Sequence, residues 1–437
     1  MSFLQPVFWV VVLLGVMILI HELGHFWAAL AVGVKVETFS IGFGPRLFGF
    51  RRGETDFRVS AIFFGGYVRM LGQELGDTNV SDPRSFQAKP RWQRAIVILA
   101  GPLMNVLLAI GIITGLYMYA FPQETDTTDP VVATLAPNSP AVQAGLQPGD
   151  RIVAINGKQD PNWEYVLTQE ALNANHPIPV TIERNGKRIS TTVTPRMDEK
   201  QGVGDAGWSG TQEAQVGIVT KGSPADAAGL KPGDVFTKVN GQPVTSMVGV
   251  QQAVFHSAGK PVQFELLRNG QTRQVTITAR ASGDPKAPWL IGIRFRPPVQ
   301  FVKLGFFPAF EQSVKFNRQN ALMLFQVLGS LIEHRVSTKS VSGPIGIAQM
   351  SSEAAQAGPW NYMFLMAIVS LQLAIINLLP IPVLDGGTLL MLIIEMIMQR
   401  EMSLQLRENI LKLGFVFLMM VMVFVIYNDI SRLLTKG

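Results

Sequence analysis

The sequence predicts a membrane α-helical protein with four transmembrane helices, a β-element on the cytoplasmic side of the membrane and two tandem copies of a small α+β domain. Three observations carry that expectation. Of 437 residues, 48% are hydrophobic, too many for an ordinary soluble chain of this length. Uncharged apolar runs long enough to span a bilayer recur near both ends of the chain. Between them, a set of short motifs appears twice at one fixed offset.

Residues 1–34 form the first expected span, and they contain His21-Glu22-Leu23-Gly24-His25 within the apolar run. No Lys or Arg precedes Lys35, and a cleavable leader does not place His, Glu and His in its apolar core, so the segment reads as retained. Ten Lys and Arg fall between Lys35 and Arg94. By the positive-inside rule residues 35–94 are cytoplasmic and the N-terminus is outside. Within them, Val36 to Phe43 and Phe57 to Phe64 are rich in aromatic and β-branched residues punctuated by Gly42, Gly44, Gly65 and Gly66, the pattern of strands and turns. Such strands beside a membrane site could offer an edge to an extended peptide; a small sheet packed on the span is the plainer reading.

Residues 95–120 form the second span. Gly111 and Gly115 make a GxxxG pair, expected at a close helix contact, and Asn105 is expected to hydrogen-bond a neighbouring helix. After the polar linker from Gln123 to Pro130 the composition turns soluble. Ser139-Pro140, Gly145-Leu146, Pro148-Gly149-Asp150, Asn156-Gly157 and Arg184-Asn185-Gly186 recur 84 residues on, from Ser223-Pro224 to Arg268-Asn269-Gly270. Residues 128–197 and 214–297 are therefore expected to be two copies of one domain, separated by the Gly-rich stretch from Asp198 to Glu213. His176 and His256 do not occupy matching positions and read as surface or packing residues.

Residues 301–336 follow, with Phe310, Val314, Ala321, Phe325, Leu328 and Ile332 at helical spacing; an amphipathic element on the membrane surface fits better than a span. Residues 359–387 are the third span, whose end is broken by Pro380 and Pro382 before Asp385-Gly386-Gly387. Residues 408–430 are the fourth, which returns the C-terminus and the repeats to the outer side. The net charge of +6 lies largely beside apolar segments and reports topology; no nucleic-acid partner is expected. With no cysteine, a zinc site has only His and carboxylate to draw on.

Two His four apart lie on one helix face, where both rings can bind one zinc, with Glu22 beside them as a base. A catalytic zinc takes about three protein ligands and leaves a position open for water. The first span reaches His21 roughly 22 Å into the bilayer, and the third, running the same way, reaches Asp385 at similar depth. Asp385 is thus the leading third ligand, with an N-cap role as its plain alternative and Glu395 as the other candidate ligand. Ionisable residues at membrane depth are costly and mark function.

Several motifs together resemble the site-2 protease family of intramembrane zinc metalloproteases across essentially the whole chain. They are HELGH, Gly101-Pro-Leu-Met-Asn105, the tandem repeats, Ser342-Gly-Pro-Ile-Gly-Ile-Ala348 and Asn377-Leu-Leu-Pro-Ile-Pro-Val-Leu-Asp-Gly-Gly387. The repeat pattern itself resembles PDZ domains of bacterial envelope proteases. The family resemblance implies Zn2+ held by His21, His25 and Asp385, Glu22 as catalytic base, Asn377 holding substrate, and a membrane-associated β-element around Gly42 and Gly44. It further implies transmembrane protein substrates: a single-span anti-sigma factor already trimmed by another protease, and leftover signal peptides. The location implied is the bacterial inner membrane, with termini and repeats periplasmic and the repeats excluding untrimmed substrates. Thr388 departs from the pattern, since relatives often carry His there, which touches the surroundings of the metal and leaves its ligands intact. Two other functions fit parts of the sequence: a non-catalytic PDZ scaffold, and a different HExxH membrane protease using Glu395.

Overall fold

A computed structural model describes residues 4–73, 82–124, 129–199, 201–210, 213–244, 246–283, 289–295 and 299–435. The linker residues 125–128 and the expected end of the second repeat at 296–297 lie outside the described residues. The chain divides into two units, one of residues 1–120, 303–325 and 341–437, the other of residues 121–302 and 326–340.

In the first unit, helix α1 (Leu4–Ala31) leads into strands β1 (Val36–Arg52) and β2 (Thr55–Met70) and then helix α2 (Arg91–Tyr119). Both strands fold back on themselves. Thr38 of β1 lies opposite both Asp56 and Arg69 of β2, and Ile41 lies opposite both Val59 and Gly66. Two long strands thereby make four short rungs: the first half of β1 is interior, and the outer edges are the two chain-distal stretches, Gly66 to Met70 of β2 and Arg46 to Arg52 of β1. Gly42 and Gly44, both with positive φ, sit at the bend of β1. The sheet packs on α1 through a cluster of Phe26, Phe39, Val36, Val68 and Met70.

The second unit holds the repeated modules. The first has helices α3 (Pro140–Gln143) and α4 (Trp163–Leu172), and the second has α5 (Pro224–Ala227) and α6 (Met247–His256). Each module's main sheet is antiparallel. The recurring motifs do the same work in both. Asn156-Gly157, Asn185-Gly186, Asn240-Gly241 and Asn269-Gly270 all have positive φ at both residues, as tight hairpin turns require. Ser139 and Ser223 cap α3 and α5 through their side-chain oxygens. Arg184 grips Asp150 through two nitrogens at 2.6 and 2.7 Å and the Gly145 carbonyl at 2.8 Å. Arg268 repeats this on Asp234 and Gly229. One bidentate pair therefore ties three of the repeated motifs together in each copy. His176 and His256 each bond a nearby backbone carbonyl.

Helix α7 (Phe306–Ile332) follows, then α8 (Pro344–Ala357), α9 (Pro359–Asn377), α10 (Asp385–Met398) and α11 (Leu404–Thr435). Among the described residues four helices are long and apolar enough to cross a membrane: Gln5–Ala31, Arg91–Tyr119, Pro359–Asn377 and Leu404–Ser431. α7 is not one of them. Its buried face carries Ser313 and Asn317, and Ser313 Oγ donates to the Ile110 carbonyl of α2 at 2.8 Å. The apolar residues Phe310, Val314, Phe325 and Ile332 point outward, as they do on a helix whose greasy side meets lipid. The motif from Ser342 to Ala348 is a helix start: Asp429 of α11 accepts the amides of Gly343, Ile345 and Gly346 at 2.9 to 3.1 Å, an anion at the N-terminus of α8.

The GxxxG expectation fails. Among the described residues a Cβ added at Gly111 or Gly115 would meet nothing within 4 Å, so neither is at a close contact with another helix of this chain.

In the first repeat, Glu170 of α4 is buried, and burial pushes its carboxyl up to about 7 against the pull of hydrogen bonds from Ala206 and Trp208. The folded state keeps a proton that an unfolded glutamate releases near pH 4.3. The stability this supplies is full below that value and disappears as pH rises through about 7. Between pH 4 and 8 the repeat is expected to lose stability on the order of 3 kcal/mol from this group. Glu170→Gln should flatten the profile, measured by amide exchange at Trp208 and Gly210 in the intact protein; an unchanged slope would overturn the assignment.

Candidate metal centre

Helix α1 presents His21 and His25 on one face, and their Nε2 atoms lie 3.2 Å apart. Asp385 meets both: its Oδ2 is 3.2 Å from His21 Nε2 and its Oδ1 is 3.5 Å from His25 Nε2. These three side chains are the group of potential metal donors found among the described residues. Two nitrogens held at about 2.05 Å from a tetrahedral zinc stand about 3.3 Å apart, so the spacing fits a zinc ion between them. Both imidazoles are only about a tenth exposed.

The rings are set by α2. His25 Nδ1 hydrogen-bonds the Val97 carbonyl at 2.8 Å, which turns Nε2 and its lone pair toward Asp385. Pro102, inside α2, lacks the amide that would bond the Ile98 carbonyl, next to Val97. The helices can approach this closely because two glycines face each other's partners. A Cβ on Gly24 would stand 2.3 Å from the Ala100 carbonyl oxygen, and one on Gly101 would stand 2.3 Å from His25 Nε2. Asn105, fully buried, lies with its amide nitrogen 3.5 Å from His21 Nδ1, and its backbone carbonyl accepts from Ser370. The expected interhelical hydrogen bond is thus present, from the side chain to His21 of α1, and the backbone carbonyl adds a second to Ser370 of α9.

Asp385 is the first residue of α10. Leu384 is the cap position and there is no side-chain cap bond, so the N-cap alternative is not what the carboxylate does. The two prolines fold the preceding loop back onto the helix start. Cβ atoms on Gly386 and Gly387 would lie 2.2 Å from the Leu378 and Ile381 carbonyl oxygens, so only glycine admits that loop. The helix begins at Asp385 itself.

One cavity of about 420 Å³ gathers His21, Glu22, His25, Asn377, Asp385 and Thr388 together with Gly66, Tyr67, Val68 and Met70 of the β2 edge. Gly66 passes so close that an added Cβ would be 3.1 Å from Glu22 Cγ. Gly42 and Gly44 are not among the described residues lining it, and Ile41 is flanked by partners on both sides. The edge rung facing the site is Gly66 to Met70. Glu395 lines the far end and is bound there: Arg407 Nη2 reaches its Oε1 at 2.5 Å, the Met402 amide reaches it at 3.2 Å, and Arg94 Nη2 lies 3.8 Å from Oε2. It is absent from the three-donor group.

The residues overlooked in the sequence are Val97, Arg94 and Arg407. Gly101 and Asn105 stand in a visible motif, but nothing local to it says which helix they face. Val97 contributes a backbone carbonyl, which leaves no mark in a sequence.

The sequence matches peptidase family M50 over residues 9–421. A regulator of sigma-E protease from Escherichia coli K12 is 33% identical over 99% of this chain and 100% of the relative. The corresponding protein of Salmonella typhimurium is 34% identical over 97% and 98%. A Neisseria meningitidis protein whose name calls it a zinc metalloprotease is 30% identical over 96% and 97%. Among solved structures, a PDZ domain of an SdrC-like protein from Listeria monocytogenes aligns with 20% of this chain and 87% of its own, at 23% identity and a TM-score of 0.18. With a family match spanning nearly the whole length and full-length relatives above 30% identity, the chain belongs to peptidase family M50, the site-2 proteases, and is a zinc metalloprotease of the membrane.

Proposed function

We propose that this protease hydrolyses a peptide bond in or beside the transmembrane segment of a membrane-protein substrate, with His21, His25 and Asp385 as zinc ligands and Glu22 as base. The observation that carries the reading is one cavity in which three converging donors, a neighbouring carboxylate and an edge strand with no strand paired beyond it among the described residues meet. Zinc, when bound, supplies the Lewis acid that polarises a carbonyl and makes water nucleophilic near neutral pH. Glu22 takes the water proton and passes it to the leaving amine nitrogen. The hydrogen bond from His25 to Val97 holds the ring so that its other nitrogen stays available. Asn377, at the end of α9, offers its amide to the substrate backbone.

A helical substrate hides its peptide bonds, so part of it must unwind before hydrolysis. The edge from Gly66 to Met70 receives the unwound stretch as an added strand. By charge distribution, residues 35–94 are cytoplasmic, and the termini and both repeats lie on the outer face of a bacterial inner membrane. The repeats are two PDZ-like modules that receive extended peptides. The substrate class is a single-span anti-sigma factor already shortened by another protease, in keeping with the sigma-E regulation named for two relatives.

Glu22→Gln is expected to keep stoichiometric zinc and to lower cleavage of a membrane reporter by about 10²-fold or more. Asp385→Ala should lose zinc, whereas Glu395→Ala should retain it, both read by metal analysis of purified protein; the opposite pattern would make Glu395 the ligand. Proline at Val68 should leave zinc bound and reduce reporter cleavage at least tenfold, because a proline is tolerated at a sheet edge yet withdraws an amide there. Undiminished cleavage by that variant would remove the strand edge from the mechanism.

A further inference from the structure

The cavity that gathers the metal donors has a second end, and two elements run the length between. Helix α10 carries Asp385 at its start and Glu395 about 15 Å further along at helical rise. Strand β2 passes Glu22 at Gly66 and reaches Met70 after about 13 Å. At Met70 the edge closes, because Gln73 Oε1 accepts the Met70 amide at 3.2 Å. Phe86 comes next, with its amide on the Leu71 carbonyl and the guanidinium of Arg94 over its ring at 5.5 Å. An edge that receives a substrate at the metal donors therefore leads it toward Arg94.

Charge at this second end does not balance. Arg94 and Arg407 both line it, and Glu395 is the acid that stands between them. Arg407 takes Glu395 Oε1 at 2.5 Å, and the Met402 amide shares that oxygen. Arg94 only approaches Oε2, at 3.8 Å, and neither its Nε nor that oxygen has a hydrogen-bond partner among the described residues. Glu401 is exposed and does not line the cavity. Two cations thus share one anion, and one of them, Arg94, is only 7% exposed. A guanidinium carries five donors and cannot shed its charge, so one buried this far and short of acceptors is a place for an added anion.

We propose that Arg94 and Arg407 form a carboxylate subsite that selects substrates with an acidic side chain about four or five residues from the scissile bond. This rests on the reading that an unwound substrate lies along Gly66 to Met70. An extended chain covers the distance between the two ends in about that many residues, so a peptide bond at the metal donors puts the acidic side chain beside Arg94. The guanidinium fork donates two parallel N–H bonds to one carboxylate, which fixes the substrate's register as well as its affinity. The subsite also turns chains away. Arg94 closes the basic stretch that marks the cytoplasmic side, where spans commonly end in Lys or Arg. Such an end meets two like charges, and an acidic end does not.

The test uses the purified full chain in detergent with fluorogenic peptide reporters. A single Glu, with Gln as its neutral control, is moved through the positions on both sides of the scissile bond. The Glu-to-Gln ratio of kcat/KM is expected to peak at about tenfold, carried by KM, near the fourth or fifth position on one side. Lys at the same position should fall below Gln. The uncleaved reporters should show the same preference in binding to Glu22→Gln protein, read by fluorescence anisotropy. Arg94→Gln should abolish the preference, and Glu395→Gln, which frees Arg407 for the ligand, should enlarge it. A parent with no preference at any position, a peak that survives Arg94→Gln, or one that Glu395→Gln leaves unchanged would overturn the subsite while the protease reading stands. Failure of the zinc-loaded parent to cleave any reporter would instead remove that reading, and this inference with it. Zinc content shows whether each variant is folded; should Arg94→Gln lose its zinc, the parent scan and the Glu395→Gln arm still decide.

Discussion

The constraint on which the site depends is the closeness of α1 and α2. Helices usually pack with axes 8 to 10 Å apart, a separation set by the side chains between them. Gly24 and Gly101 remove those side chains where the histidines lie, and the imidazole of His25 fills the space that a Cβ on Gly101 would take. Only then can the Val97 carbonyl reach His25 and the Asn105 amide reach His21. A larger residue at either position would push α2 away and release both rings from the groups that orient them. The metal donors are thus arranged first by an absence of atoms. The Pro-broken loop delivers the third donor by the same means, since Gly386 and Gly387 let backbone carbonyls lie against the start of α10.

The parts of this arrangement that were legible in the sequence are those written locally. Four apolar runs, two histidines at helical spacing and a fixed 84-residue offset each declare themselves without knowledge of a partner. What was illegible depends on which surfaces meet. Gly111 and Gly115 have the spacing of a packing motif and face open space, while Gly24 and Gly101, in different helices, make the crossing. Ile41 lies in an edge-like aromatic stretch, but the doubling-back of β1 and β2 places it inside the sheet and leaves Gly66 to Met70 outside. Strand register of that kind is fixed by packing and turn geometry, which a pattern of residue types does not record. On α7 the periodicity was plain and its direction was not, because lipid and protein interior both accept apolar side chains.

The repeats teach the converse. Identity at a fixed offset picks out what the copies share, and what they share is scaffold: the turns, the caps and the Arg–Asp pair that braces each module. The copies also differ, and the differences are where side chains hold backbone: Glu170 and Asp205 engage the Ala206 and Gly207 amides in the first copy, and neither is picked out when the copies are aligned for likeness.

Charge explains why Glu395 shares the cavity without joining the metal donors. An unpaired carboxylate at that depth carries a desolvation cost of several kcal/mol, and removing one partner from a buried pair typically costs about 3 to 5 kcal/mol. Arg407 and Arg94 hold Glu395, with α11 and α2 approaching it from different sides. Asp385 has no such cation among its near partners; it faces two imidazoles, which are neutral when they serve as metal ligands. Glu22 stands nearby with the same need. The carboxylates of the cavity therefore outnumber its arginines, and the imbalance is concentrated at the His21, His25 and Asp385 end. A divalent cation placed among those three donors is the smallest addition that offsets it. The two arginines at the other end already engage Glu395. Local charge balance thus favours Asp385 over Glu395 as the third ligand we propose.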